Sequence, residues 1–393
     1  MLPNDSLSNF LYPNTQIDWS LMIVIYPYIT GLVAGSFVVS SLYHVFRFDA
    51  FRPVARFALV LAFCFGLFAA VPLLFHIGQP QRAFNIFLTT HTTSAMSIFG
   101  YVYAGYMALL IVELWLTYRS FIIAKANAST GMAHLAWKAL ALGVITPYDG
   151  EADRVDCRVL SFLSAIGIPW ACLLHGYVGF IFGTVKAVAW WATALQPIIF
   201  LLSAIVSGVG VVTVLYVFIH WRRGWRYDYQ LIRRLMELLF GVFILDVTVE
   251  LLEVVFTWYE QGPHWEVIRP LLEGPLFYTY VIGQIGVLST LPLLLLAYIP
   301  ISRISGPPLV HLVGVIAFLI ALQVLFMRYN IVIGGQMISR SDRGFLHFHF
   351  ELLGREGALM ATLVFVAPFV TYFLLSRYLP IFDEEQPAPA ARA

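Results

Sequence analysis

Nine stretches of this chain are apolar over about twenty residues or more, and that feature limits it to one class of fold. A helix rises about 1.5 Å per residue, so about twenty residues cross about 30 Å of hydrocarbon. The stretches lie at roughly 18–46, 54–76, 94–118, 158–181, 195–221, 231–257, 272–300, 308–328 and 356–380. No water reaches backbone amides in hydrocarbon, so each stretch must satisfy its own hydrogen bonds as a helix. Charged residues make up 11% and hydrophobic ones 60% of the 393, against about 25% charged in soluble domains. An all-α integral membrane protein of about nine transmembrane helices is the expectation. A tenth candidate, 133–147 (AHLAWKALALGVITP), is short and carries Lys138. It is expected to lie on the surface.

The net charge of +1 leaves no footprint for nucleic acid. Cys64, Cys157 and Cys172 lie far apart without a CxxC pair, so they build no disulfide framework, zinc site or iron–sulfur cluster. The N-terminus lacks the basic segment of a cleaved signal peptide, and the first span is expected to insert as it stands. With the N-terminus outside, sixteen Lys and Arg residues fall on the inner side and seven outside: Arg82, Lys186, Arg269, Arg328, Arg340, Arg343 and Arg355. That bias predicts an outer N-terminus and an inner C-terminus.

An internal repeat organises the spans. LVAGSFVVSSLYHVF from Leu32 aligns with IVSGVGVVTVLYVFI from Ile205 at an offset of 173, matching Gly35 with Gly208 and Leu42-Tyr43 with Leu215-Tyr216. Both spans run outside to inside, so the repeat is parallel. Two four-helix bundles plus an added ninth span follow: 1–193, 194–330, an outer loop with the extra helix over 331–380, and a disordered tail over 381–393. The small residues have an ordinary role as well, letting helices approach closely.

Ionisable residues inside spans are costly and therefore mark candidate sites. Asp246, Glu250 and Glu253 of span six fall within about a 60° arc, so they share one helix face. That stripe must face the bundle interior or water, as a proton relay or as a polar stripe bonded to Gln284, Thr290 or Gln323. Glu113, near the inner end of span three, is a further relay candidate. The segment from His175 to Phe218 leaves the membrane through Lys186, Trp190 and Trp191 and re-enters at Gln196-Pro197. It reads as an interfacial elbow with indoles at headgroup level. The outer loop from His76 to Gly100 holds His76, His91, Arg82 and Asn85. Imidazole, Asn and Arg beside aromatic rings suit a quinone, whose carbonyls accept hydrogen bonds and take up protons on reduction. Tyr26 and Tyr28 lie at a similar depth. His44, His220 and His311 sit at inner ends, where solvated or headgroup contacts explain them. The stretch RYNIVIGGQMISRSDRGFLHFHFELLGRE, with His347 and His349, reads as a long outer loop offering a docking surface.

These residues carry a resemblance. LVAGSFVVSSLYHVF, HIGQPQRAFNIF, HGYVGFIFG…WW…QPIIFLLSAIVSG and RYNIVIGGQ, in that order, resemble the NrfD/PsrC family of polytopic quinone-interacting subunits. The similarity spans nearly all of 18–380, and the segment around His175 is most similar to the DsrP branch of sulfur metabolism. The resemblance implies two four-helix bundles with no haem or iron–sulfur cluster of their own. It implies menaquinone or ubiquinone bound near the outer face at Tyr26, His76, His175 and Tyr177, with His91 in the neighbouring loop. It also implies an outer iron–sulfur partner, multihaem cytochrome c and other membrane subunits, in a bacterial or archaeal cytoplasmic membrane. Asp246, Glu250, Glu253 and Glu113 correspond to polar tracks that conduct protons. The Asn–His pair that shorter members carry early in span one is missing. A secondary transporter with a carboxylate-lined path is the alternative from another class, and a haem b cytochrome held by His76 and His175 is a third.

Overall fold

A computed structural model describes residues 16–144, 148–339 and 344–382. Among them the chain is nearly all helical, its only β-pairings being the isolated bridges Gln16–His347 and Ile338–Phe345. The elements run α1 Leu21–His44, α2 Arg52–Ala69, the short α3 Val71–His76 and α4 Asn85–Leu88, then α5 Ala95–Ala128, α6 Gly131–Leu140 and α7 Gly150–Gly183. They continue with α8 Gln196–Arg223, α9 Tyr229–Glu260, α10 Pro263–Glu273, a π-helical segment Phe277–Ser289 running into α11 Thr290–Ser302, α12 Pro307–Met337 and α13 Ala358–Leu375. Among the described residues, eight helical segments are long and apolar enough to cross a membrane. The remaining expected span is α9, a continuous helix of 32 residues. Its five carboxylates, with Arg233 and Arg234, set it apart in composition. The tenth candidate forms α6, ten residues with none buried, too short to span. The expected tail lies outside the described residues from 383 onward.

Local chemistry explains the helix ends. Ser20, Ser94, Asp149 and Asp228 each accept hydrogen bonds from backbone amides of the first turns of α1, α5, α7 and α9, replacing partners that a helix start lacks. Pro197 sits in the first turn of α8, and Gly224 closes that helix in the left-handed conformation at φ 66°.

The helix α1 is the central post, buried almost continuously from Met22 to Ser41. It packs against α2, α7, α8, α12 and α13. The two glycines matched by the repeat meet each other here. A Cβ on Gly35 would collide with the Ala204 carbonyl and Gly208, and one on Gly208 would collide with the Gly35 backbone. The repeat therefore brings its own equivalent positions together at the seam between α1 and α8, where backbones touch.

Two faces result. One carries Trp19, Trp190, Trp191, His76 and the start of α1; we call it the tryptophan face. The other carries Arg47, Arg52, Arg119, Arg223 and the end of α1; we call it the arginine face.

Two expectations change. The supposed outer loop from Arg328 onward is helix as far as Met337, and Arg328 is fully buried. The apolar run IVIGGQM after RYN carries α12 onward, so one of the seven basic residues assigned outside belongs to the interior. Arg340 and Arg343 lie outside the described residues. The Trp elbow is also more than a headgroup belt. The Trp190 and Trp191 indole N–H groups donate to the carbonyls of Asn330 and Ile331 at 3.1 and 2.6 Å. Trp191 stacks on Trp19 at 5.3 Å and occupies the space a side chain at Gly335 would need.

Candidate functional site

The span-six carboxylates do share a face, and it points inward. Asp246 is fully buried and Glu250 is 6% exposed. Glu250 accepts hydrogen bonds from the amides of Gln284, in the π-helical segment, and Gln323, on α12, the latter at 3.4 Å. Gln284 in turn accepts from Asn330 Nδ2 at 2.7 Å. Two of the three partners expected for the polar stripe are therefore present, while Thr290 bonds its own backbone at Ile285. The π-helical frame shifts the backbone register here, and such frames concentrate at functional positions.

The cation of this cluster is Arg328, which the sequence pattern places in a loop. It is two residues before Asn330 on α12, and its charge acts on both Asp246 and Glu250. Its Nη2 donates to Ser203 Oγ at 2.6 Å and lies 3.0 Å from His175 Nε2, with the guanidinium 3.9 Å above the Phe200 ring. A guanidinium only donates, so His175 Nε2 is the acceptor and the ring hydrogen of the neutral imidazole sits on Nδ1. Among the described residues, His175 Nδ1, Arg328 Nε and Nη1, and both oxygens of Asp246 have no protein partner. Buried polar atoms of this kind are met by internal water. A polar thread thus runs from His175 of α7 through Arg328 of α12 to Asp246 and Glu250 of α9.

The thread opens at the tryptophan face. A cavity of about 280 Å³ is lined by Trp190, Gln196, Glu250, Glu253, His264 and Tyr280 among others. Trp190 and Tyr280 form one wall edge to face at 5.4 Å. Glu250 lies at its floor and Glu253, one turn nearer the surface, lies beside Thr193 of the elbow. Flat aromatic walls with titratable groups at the floor can hold an uncharged ring and exchange protons with it.

The expected imidazole and tyrosine set is dispersed by comparison. Tyr26 and Tyr177 do come together, both against Phe99 at 6.0 and 6.2 Å. His175 lies in the seam, against Arg328. His76 Nδ1 pairs with Glu356 Oε2 at 2.8 Å, and Ser20 donates to the same oxygen at 2.6 Å, tying α1, α3 and the approach to α13. His91 bonds locally to Thr93 at 2.8 Å. His76 and His175 therefore have different partners, which gives no support to paired axial ligation. Of the histidines at the other end, His220 is buried and bonded to the Tyr216 carbonyl at 2.9 Å, a packed core residue rather than a headgroup contact. Glu113 lies apart from the span-six cluster, fully buried on α5, with Ser164 Oγ donating to it at 3.2 Å. No group of three or more His, Cys, Asp or Glu suited to a metal occurs among the described residues.

The chain is similar to known membrane proteins over most of its length. It is 30% identical over 331 residues to a selenate reductase subunit of Mesobacillus selenatarsenatis, covering 83% of this chain and 75% of that one. It is 28% identical to a putative dimethyl sulfoxide reductase membrane subunit of Halobacterium salinarum, covering 71% and 61%. It is 23% identical to the Hdr-like menaquinol oxidoreductase integral membrane subunit of Archaeoglobus fulgidus, covering 50% and 41%. The family described as polysulphide reductase, NrfD, matches residues 11–339, a range that takes in the seam, the carboxylate face and α12 but not α13. The chain belongs to the NrfD family of reductase membrane subunits.

Proposed function

We propose that this chain is the quinone-reactive membrane anchor of a respiratory complex, exchanging electrons between the quinone pool and an iron–sulfur subunit on the tryptophan face. One observation carries this reading: an aromatic-walled cavity opens at that face and ends on Glu250. A quinol ring there, oxidised by two electrons, loses two protons. Glu253 and His264 at the rim and Glu250 at the floor are placed to take them, while the electrons leave one at a time to the partner. Reduction of a quinone runs through the same groups in reverse. The names of the relatives fit, since one is a menaquinol oxidoreductase subunit and two belong to reductases. In this reading the tryptophan face is the outer one, multihaem cytochromes complete the electron path, and turnover of sulfur compounds lies at its far end.

The Glu250→Gln variant tests it. Gln keeps the shape and can accept from one of the two amides, but it cannot carry the proton, so quinol turnover should fall about a hundredfold while quinone still binds. Unchanged turnover in reconstituted membranes would remove Glu250 from the reaction. Gentle purification from native membranes should bring down an iron–sulfur protein; a chain free of redox partners would instead favour carboxylate-linked transport.

A further inference from the structure

Glu113 has a feature that the cavity at the tryptophan face does not use. Its Oε2 accepts from Ser164, but Oε1 is buried without a partner among the described residues. An unpaired carboxyl oxygen in an apolar interior is costly unless water reaches it. The route is one turn away. Thr117 follows Glu113 by one turn on α5 and donates to its backbone carbonyl at 2.8 Å, and Leu160 precedes Ser164 by one turn on α7. Both line a cavity of about 330 Å³ at the arginine face. One turn is about 5.4 Å, so Glu113 and Ser164 lie one helical turn beyond the residues that line this cavity.

The mouth is polar. Arg47, in the turn after α1, and Arg52, at the start of α2, flank it, with His44 and Arg56 beside them. From α7 come Asp153 and Asp156; Asp156 is already held by Arg119 at 2.6 Å and Tyr148 at 2.9 Å. Asp153 is exposed, leaving one carboxylate at the rim to pass protons between bulk water and the cavity. Above Glu113, Tyr106 lies on the same helix within electrostatic reach, its hydroxyl also buried and without a partner among the described residues.

We propose that Glu113 is a proton-exchange site opening to the arginine face, so that each bundle holds one buried carboxyl port and the two open to opposite sides. The chemistry is proton transfer alone: the Glu113 carboxylate takes one proton from cavity water, and the acid form returns it. The inference rests on the proposed quinone reaction only for what drives the protons, not for the existence of the port.

Two measurements test it separately. In vesicles carrying the full complex, with Cys157→Ser and Cys172→Ala as background, the Glu113→Cys variant is challenged with a small membrane-impermeant methanethiosulfonate from each side. Labelling should be at least about tenfold faster from the arginine face, because reactivity follows access, and Leu160→Trp, which fills the cavity, should abolish the difference. Equal labelling from both faces, or none, overturns the port; native Cys157, which lines the same cavity, reports sidedness even where Glu113→Cys fails to assemble. In the second measurement, Glu113→Gln should lower proton uptake from the arginine side at least about tenfold. Electron transfer with an uncoupler present should stay within about twofold. Unchanged uptake overturns the proton role. If wild-type complex shows no quinol turnover, the proposed function fails while the labelling result still decides the port.

Discussion

Glu250 and Glu113 are both carboxyls inside apolar helices, yet they are held in opposite ways. Glu250 accepts from two amides, lies within reach of the Arg328 charge and forms the floor of a cavity at the tryptophan face. Glu113 accepts from a single hydroxyl and sits one turn above a cavity at the arginine face. The first is embedded in a network whose members fix one another. The second is a nearly isolated group whose missing partners must be water. Network carboxyls are sensitive to any member, and isolated ones tolerate loss of their one neighbour. That difference can be broken at several points.

The largest effect belongs to Arg328. Replacement by Met keeps the length but removes the buried donor that Ser203, His175 and the Phe200 carbonyl share. Hydrogen bonds from a charged group contribute about 1.5–3 kcal/mol each, so Arg328→Met should lower the thermal midpoint strongly or prevent accumulation. Lys keeps the charge but not the fork that reaches Ser203 and His175, so Arg328→Lys should recover only part of the loss. Equal stability of Arg328→Met and wild type would show that the fold does not need this donor.

Gln284 comes next. It donates to Glu250 and accepts from Asn330, so Gln284→Leu strands two buried groups at once. About 1–3 kcal/mol of destabilisation follows for each such group, read by unfolding of the purified protein. Thr290→Val is the control: that hydroxyl bonds only a backbone carbonyl in its own stretch of helix, and its loss should change little.

Much of this architecture is legible in the sequence because its physics is one-dimensional. Length and apolarity alone mark the spans, and an i, i+4, i+7 spacing places Asp246, Glu250 and Glu253 on one face before any contact is known. The repeat predicts that Gly35 and Gly208 are equivalent, although not that they touch. Arg328 escapes a sequence reading for a physical reason: a charge at the end of an apolar run looks like a span boundary. Only IVIGGQM beyond it, with its small residues against Trp191 and Leu276, shows that α12 continues. The imidazoles mislead in the other direction. His76, His91 and His175 are close in chemistry but meet Glu356, Thr93 and Arg328, partners 280, 2 and 153 positions away, and no local pattern encodes the two distant pairings.

Ser164 gives the smallest and sharpest contrast. Among the described residues its hydroxyl is the only protein group bonded to the Glu113 carboxyl, so a purely structural view would make Ser164→Ala costly. If water from the cavity already serves Glu113, that water takes over the lost bond, and the change should cost about 0.5–1.5 kcal/mol or less. The same substitution should leave proton uptake within about twofold, since the Glu113 carboxyl and its cavity are intact. The pairing with Gln284→Leu is what matters: a larger loss at Ser164 than at Gln284 would mean that Glu113 is dry, and the port proposed for the arginine face would go with it.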